Sequence, residues 1–186
     1  MDDNQLIKNI QNKDSKAFQT LVERHQTKVI NICNGFVHNK DDAQDIAQEV
    51  FIEIYKSIDK FRSEAKLSTW IYRISVNKSL NFIRDNKKNK WLQSLDLLFV
   101  SDKNINNNSF IDEDKLEEEE KTKIIHQALN SLAENQKIAF TLNKYEDLSY
   151  KEISEIMKIS ISSVESLMFR AKKNLQKKLI NYYQKK

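Results

Sequence analysis

Proline is absent from this chain of 186 residues, and its only glycine is Gly35. Sheet proteins reverse direction through tight turns, which depend on glycine and proline for the backbone angles they require. The frequent residues here, among them lysine, glutamate and leucine, instead form helices readily. The sequence therefore predicts an all-α protein.

In the first half of the chain, apolar residues recur at the three-to-four-residue spacing of a buried helical face. This pattern predicts helices over residues 15–37, 41–58 and 68–88, the first of them capped by Asp14. A length of 186 residues accommodates one medium domain or two small ones. These three helices are the expected content of the first small domain.

The second half of the chain carries three possible helix starts. Serine is followed three residues later by glutamate, the spacing of a capping box, at Ser131, Ser149 and Ser162. The intervening stretch is rich in asparagine and acidic residues, which favours a linker, although it also contains an apolar patch at residues 91–100. We therefore expect two helical domains, residues 1–90 and 121–186, joined by a linker at residues 91–120.

Charge is distributed unevenly along the chain. The net charge is only +4, but residues 84–90 and 170–186 are basic, whereas residues 112–120 are acidic. A segregation of this kind suits a protein that contacts polyanions at two places and another partner elsewhere.

Several functional classes have little support in the sequence. Cys33 is the only cysteine, which excludes an internal disulfide, and its place on an apolar stripe favours a buried thiol. The chain lacks the histidine spacing of a metal site and a glycine-rich phosphate loop, so we expect no cofactor, metal or catalytic site. No apolar run reaches the roughly 20 residues of a membrane span, which predicts a soluble, cytoplasmic protein without membrane insertion.

A helix-turn-helix pattern lies near the C-terminus. Residues 150–157 and 161–179 have helical periodicity and are separated by a three-residue turn. The second helix presents polar and aromatic side chains outward: Ser162, Ser163, Ser166, Phe169 and Arg170. Hydroxyls and cations at a helix N-terminus suit phosphates and base edges, so DNA binding is indicated. An ordinary helical hairpin with a solvated basic end is the alternative.

The predicted helix at 41–58 has an acidic face. It contains Asp41, Asp42, Asp45, Gln48, Glu49 and Glu53. Ile52 lies beside this row, and an apolar residue next to acidic ones fits a partner helix rich in arginine. A merely solvated stripe is the alternative.

A third polar face belongs to the predicted helix at 68–88. It combines Arg73, Asn77, Asn81 and Arg84, flanked by Lys78, Lys87 and Lys88, with Trp70 and Tyr72 near the helix start. Aromatic rings beside a basic, amide-rich face are suited to single-stranded DNA, because bases stack on rings while cations follow phosphates. Core packing of Trp70 and solvation of the other residues form the alternative.

Three blocks, DDAQDIAQEVFIEIYKSIDKF, STWIYRISVNKSLNFIR and LSYKEISEIMKISISSVESLMFRAKKNLQKKL, resemble the extracytoplasmic-function (ECF) family of RNA polymerase sigma factors in order and spacing. The resemblance covers nearly the whole chain apart from the linker. It implies a sigma factor that binds core RNA polymerase and directs promoter recognition, promoter melting and transcription initiation, with no enzymatic activity. Promoter DNA, double- and single-stranded, is then a partner, and an anti-sigma factor is a further candidate.

The resemblance also implies roles for individual residues. Docking on the clamp coiled coil of the largest polymerase subunit is assigned to Asp45, Gln48, Glu49 and Ile52. Recognition and opening of the −10 element are assigned to Arg62, Ser63, Trp70, Arg73, Asn77, Lys78, Asn81 and Arg84. Reading of the −35 element is assigned to Ser162, Ser163, Ser166, Arg170 and Lys173. The linker is expected to thread toward the active-site and RNA-exit channels of the polymerase.

Four positions depart from the pattern of that family. Ala133 stands where proline is common, Lys158 where glycine is frequent, and Glu165 and Leu167 where basic residues often occur. An acidic Glu165 near phosphate would repel it, although a capping role with Ser162 would explain its presence. The alternatives to a sigma factor are a helix-turn-helix regulator that acts without core polymerase, a helical enzyme and an anti-sigma factor.

Overall fold

A computed structural model describes residues 2–97 and 113–184, with side chains described over residues 2–87, 120–180 and at 184. Half of the predicted linker, residues 98–112, lies outside the described residues. Where the chain is described, its regular structure is helical without strands, so the all-α prediction is confirmed.

The described residues form eight α-helices. They are α1 (Asp3–Gln11), α2 (Ser15–Val37), α3 (Lys40–Ser57), α4 (Leu67–Leu97), α5 (Glu113–Asn130), α6 (Glu134–Glu146), α7 (Tyr150–Met157) and α8 (Ile161–Tyr183). A short 3-10 helix, Ile58–Lys60, follows α3. We refer to α1–α4 as the N-terminal module and to α5–α8 as the C-terminal module.

The predicted helices of the N-terminal module are present, with one addition. Asp14 caps α2 as expected, because its carboxylate accepts hydrogen bonds from the Lys16 and Ala17 backbone N–H groups. Helix α1 was not predicted, since its short and largely polar sequence hides an apolar stripe. That stripe, Leu6, Ile7 and Ile10, is buried. Helix α4 extends to Leu97, well past the predicted end at residue 88.

Only one of the three predicted capping boxes forms. The Ser149 hydroxyl accepts from the Glu152 N–H while the Glu152 carboxylate accepts from the Ser149 N–H, so this box is confirmed. The prediction at Ser131 is wrong, because Ala133 is the N-cap of α6 and makes no side-chain cap bond. The prediction at Ser162 is also wrong. There Ser160 accepts from the Ser163 N–H at 3.2 Å, which places the start of α8 two residues earlier.

Each module buries the apolar face that its periodicity predicts. Helices α2, α3 and α4 pack together around side chains such as Ile32, Val50 and Ile71. In the C-terminal module, Val164 and Met168 of α8 are buried where α8 packs on α6 and α7. Cys33 is buried as expected, and this burial raises the pKa of its thiol to about 11.

The two modules also pack against one another. Helix α6 lies on α2, and α7 lies on α4. One continuous apolar cluster includes Phe36 of α2 together with Ile138 and Leu142 of α6. Within the described parts of the chain, no helix has the length and apolar character needed to cross a membrane.

Candidate nucleic-acid and partner-binding surfaces

The acidic face of α3 is exposed along most of its length. Asp45, Gln48 and Glu49 are exposed, and Ile52 beside them keeps 53% of its surface accessible. This face therefore combines exposed apolar area with a row of carboxylates. Tyr55 is 44% exposed and extends the apolar part of this face.

Lys78 belongs to this acidic surface more than to the face of α4 on which the sequence placed it. Its Nζ lies 3.5 Å from a carboxylate oxygen of Glu49 and 3.8 Å from one of Glu53. The side chain is 29% exposed. Lys78 therefore links α4 to α3 and partly neutralises the acidic face at its edge.

A small concavity forms where the loop after α3 meets the start of α4. Its volume is about 160 Å³, and it is lined by Lys60, Phe61, Arg62, Glu64, Ala65, Trp70 and Arg73. The rings of Phe61 and Trp70 lie 5.0 Å apart and are tilted by 42°. Ser63 stands in the same loop with a positive φ of 57°. Aromatic walls and cationic rims meet here, as a site for an unstacked base requires.

Sequence reasoning missed part of this concavity. Lys60 and Phe61 were not among the predicted site residues, although they directly precede Arg62 and could have been found from that position. Tyr72, predicted to help Trp70, is only 6% exposed and lies in the core. The pKa of the Tyr72 hydroxyl is raised to about 12, mainly by burial and to a smaller extent by the negative charges of Glu146 and Glu152. Trp70 is the one of the two that lines the concavity.

The arginines of the α4 face contact the C-terminal module. Arg73 donates from Nε to the Ile156 carbonyl at 3.1 Å and from Nη2 to the Glu155 carbonyl at 2.5 Å. Arg84 forms a two-pronged pair with the Glu134 carboxylate at 2.8 and 2.9 Å. Both guanidinium groups on this face of α4 are therefore engaged.

The amides of that face remain more open. Asn77 is exposed and lines a cavity of about 310 Å³ between the modules, together with Asn135 of α6 and Lys158. Asn81 is exposed as well, and its side-chain oxygen lies 3.5 Å from Nη1 of Arg84. The structure thus brings Arg73, Asn77, Asn81 and Arg84 onto one surface, as predicted.

The helix-turn-helix forms as expected from helices α7 and α8. The turn between them is made possible by Lys158, which takes the left-handed conformation at φ 55° where glycine is the usual residue. Val164 and Met168 fix α8 to the rest of the module, so the opposite side of the helix is exposed. Lys173 is exposed on the same helix.

Four of the five residues predicted to read the −35 element line one concavity. Its volume is about 370 Å³, and its lining includes Ser162, Ser163, Ser166 and Arg170 with Asn135, Ile159 and Leu167. Asn135, which sequence reasoning missed, comes from the start of α6 and becomes a neighbour only through the fold.

The N-terminus of α8 holds a hydroxyl cluster. Ser160 lies 3.0 Å from the Ser162 hydroxyl and 2.8 Å from the Ser163 hydroxyl. Farther along the helix, Glu165 and Phe169 line a shallow surface next to Arg170, and Phe169 is 69% exposed. Among the described residues, no group of three histidine, cysteine or acidic side chains is arranged to hold a metal ion.

Known protein families match both modules. The family model of Sigma-70 region 2 matches residues 21–89, and that of Sigma-70, region 4 matches residues 122–175. The chain is 35% identical to the ECF RNA polymerase sigma-E factor of Haemophilus influenzae, with 95% of each chain covered. It is 31% identical to the RNA polymerase sigma-H factor of Pseudomonas aeruginosa, covering 95% of this chain and 93% of that one.

Solved structures share the fold over nearly the same length. CnrH, determined in complex with the cytosolic domain of CnrY, matches with a TM-score of 0.68 at 20% identity and covers 96% of this chain and 97% of its own. The sigma factor RpoE of Bartonella quintana, determined with the anti-sigma factor NepR, matches with a TM-score of 0.60 at 22% identity, covering 88% and 97%. At these identities the likeness concerns the fold of the two helical modules.

Proposed function

The chain belongs to the extracytoplasmic-function family of RNA polymerase sigma factors, which direct transcription initiation, and we propose which of its surfaces performs each step. The family predicted from the sequence is thereby confirmed. A helix-turn-helix regulator acting without core polymerase is not favoured, because the relatives match across both modules and not the C-terminal one alone.

We assign core polymerase docking to the acidic face of α3. The observation that supports this most directly is the exposure of Ile52 at 53% beside the carboxylates of Asp45 and Glu49. A basic partner helix, such as the family's clamp coiled coil, would cover the apolar side chain while its cations pair with the carboxylates. Tyr55 would add aromatic contact area at the end of this face.

Charge reversal tests the docking surface. Asp45→Lys combined with Glu49→Lys should abolish copurification with core polymerase, because both carboxylates then repel a basic partner. Glu23→Lys combined with Asp85→Lys makes the same change of charge at exposed positions on α2 and α4 and should copurify normally. Equal recovery of both double variants with core would rule out this docking face.

We assign −10 element binding to the concavity at the start of α4. A base leaving the duplex gains stacking on a ring such as Trp70, and Arg62 at the rim attracts the adjacent phosphates. Its volume of about 160 Å³ allows a single base edge or ring to enter. Melting would thus be driven by binding, without nucleotide hydrolysis by this chain.

The exposed Arg62 allows a test that leaves the core of the module intact. Arg62→Ala should retain core binding but reduce permanganate reactivity of thymines at the promoter −10 region, which reports strand opening. Lys8→Ala removes an exposed cation from α1 and serves as the control. Unchanged reactivity in the Arg62 variant would contradict the assignment.

We assign −35 element reading to the exposed side of α8, where Ser162, Ser163, Ser166, Arg170 and Lys173 lie. A helix with its N-terminal residues open and its opposite side fixed by a hydrophobic core can enter the major groove. Such an initiation subunit acts where the polymerase and chromosome are, so we place it in the cytoplasm.

Run-off transcription tests the function as a whole. Purified chain mixed with core polymerase and a genomic promoter library should yield discrete transcript starts that core alone does not produce. A chain that leaves start-site selection unchanged would refute the proposed function.

A further inference from the structure

We propose that the concavity between α6 and α8 seats the sugar-phosphate backbone of one promoter strand, and that Asn135 of α6 donates to one of its phosphates. The inference rests on the proposed reading of the −35 element by α8. It adds a DNA contact from a helix that lies outside the helix-turn-helix.

The exposed side of α8 has two flanks of different chemistry. We call the one that faces the start of α6 the α6 flank, and its polar lining is Asn135, Ser162, Ser163, Ser166 and Arg170. The shallow surface on the other flank contains Glu165 and Phe169 as well as Ser166 and Arg170. No carboxylate belongs to the described lining of the α6 flank, so a polyanion is repelled less there than beside Glu165.

Two apolar side chains complete the α6 flank. Ile159, in the turn before α8, and Leu167, one turn beyond Ser163, line the same concavity and are half-buried against the core. The C–H groups of a deoxyribose pack on aliphatic side chains of this kind, whereas the adjoining phosphate requires donors. The α6 flank therefore offers both surfaces that one unit of a DNA backbone needs.

The amide of Asn135 is available for this contact. Asn135 lies in the first turn of α6 and is exposed, and its side chain has no hydrogen-bond partner among the described residues. Amide groups are common donors to DNA phosphates. Asn135 therefore supplies a neutral donor on the side of the concavity opposite α8.

A hydrogen bond between the two helices keeps Asn135 beside the recognition helix. Nδ2 of Asn174 on α8 donates to Oε1 of Gln136 on α6 at 2.9 Å. The residue before Asn135 is directed elsewhere, because the Glu134 carboxylate accepts from Nη2 of Arg84 on α4 and does not line the α6 flank. The start of α6 thus presents its amide to the concavity and not its carboxylate.

Substitution of Asn135 tests the contact in the full chain bound to core polymerase. The probe is a fluorescein-labelled duplex that spans the −35 region of a promoter identified by run-off transcription. Asn135→Ala should weaken binding about fivefold, the loss expected for one hydrogen bond. Gln127→Ala removes an exposed amide from α5 of the same module and should bind as the wild type does. Equal affinities of the two variants would refute the contact.

Salt and sequence dependence show what Asn135 contacts. The side chain is neutral, so its loss should leave the slope of log K against log salt unchanged, whereas Arg170→Ala should reduce that slope by about 0.9. A phosphate contact carries no sequence information, so Asn135→Ala should weaken binding by a similar factor for different −35 sequences. A loss confined to one base pair would overturn the backbone assignment and indicate base reading instead.

Single methylphosphonates locate the phosphate. Each duplex of a series carries one such group in the −35 region, which removes a charge and an acceptor oxygen at that position. Asn135→Ala should lose the sensitivity of the wild type at one phosphate and keep it at the others, and Gln127→Ala should keep all of it. An identical profile for Asn135→Ala and the wild type would contradict a phosphate contact by Asn135.

A gain of charge at Leu167 tests the position of the backbone independently. Leu167→Lys keeps an aliphatic stem but brings an ammonium to the α6 flank, so it should tighten binding and increase the salt slope by about 0.9. Ile125→Lys adds the same charge at an exposed apolar position of α5 and is the control. An equal increase in slope for both variants would show that no strand is seated at the α6 flank.

Run-off transcription by the wild type keeps this proposal separate from the proposed function. If the wild-type chain directs start sites but Asn135→Ala binds the promoter duplex as tightly as Gln127→Ala, only the contact from α6 is refuted. If the wild type directs no start sites, the proposed function itself fails.

Discussion

The imidazole rings of His38 and His126 stack with their centroids 4.1 Å apart and their planes 5° from parallel. His38 ends α2 in the left-handed conformation at φ 57°, and His126 belongs to α5 of the other module. The Nε2 atom of His38 is buried without a hydrogen-bond partner among the described residues. The contact between the modules therefore contains two titratable rings in van der Waals contact.

Because of this pair, we expect acid to lower the free energy of unfolding of the chain. Burial, His126 and Lys137 lower the pKa of His38 from 6.5 to about 4, so the folded chain resists its protonation more than the unfolded chain does. The contribution of His38 to stability is complete above about pH 6.5 and is lost as the pH falls toward 4. Urea denaturation between pH 7 and 4.5 should show a falling free energy of unfolding.

The substitution His38→Asn isolates this effect. Asparagine tolerates the left-handed conformation but does not titrate, so the variant should lose part of the dependence between pH 6.5 and 4.5. Glu146, whose pKa burial raises, titrates in the opposite sense and is present in both proteins. An equally steep decline in wild type and variant would exclude His38 as its source.

Replacing Lys158 with glycine is expected to increase the stability of the fold. Its left-handed backbone, φ 55°, costs an ordinary residue about 1 kcal/mol that glycine does not incur. Lys158→Gly should therefore raise the melting temperature by a few degrees, measured by circular dichroism. Lys151→Gly, in the first turn of α7, should instead lower it. A lower melting temperature for both variants would contradict the strain at Lys158.

Substitution by alanine is expected to cost more stability at Ser149 than at Ser131. Ser149→Ala removes the hydroxyl that accepts from the Glu152 N–H, while the backbone N–H of residue 149 still donates to the Glu152 carboxylate, and should cost about 1 kcal/mol of stability. Ser131→Ala removes only a hydroxyl that donates to the Ala128 carbonyl and should change stability by less than about 0.5 kcal/mol. Chemical denaturation of the two variants compares them directly, and equal losses would place a cap at Ser131 after all.

Removing a positive charge from α8 is expected to weaken duplex binding, and removing a negative charge is expected to strengthen it. Arg170→Ala should weaken binding of promoter DNA and reduce the slope of log K against log salt by about 0.9, as expected for one lost phosphate contact. Glu165→Gln should strengthen binding, because a carboxylate exposed beside Arg170 repels the backbone. Fluorescence anisotropy at several salt concentrations measures both. A weaker Glu165→Gln complex would indicate that the carboxylate contacts a base.

Local sequence signals predicted most of the fold. The bounds of α2 and the cap at Asp14 follow from residues within one turn of each other, and both are confirmed. Helix α1 was missed because its amphipathic stripe is short and therefore a weak signal. The end of α4 was missed because its apolar pattern continues into a polar segment, which is also a weak signal. The capping boxes at Ser131 and Ser162 failed since the same spacing arises by chance beside a different helix start.

The sequence by itself determined which residues form helices and which faces of those helices are apolar, acidic or basic, because periodicity depends only on near neighbours. Only the tertiary structure decided that Arg73 faces α7 and Arg84 faces α6, that His38 meets His126, and that Gly35 lies beneath Tyr145. These contacts join residues far apart in the chain. They depend on how the two helical modules fit together, which no local pattern specifies.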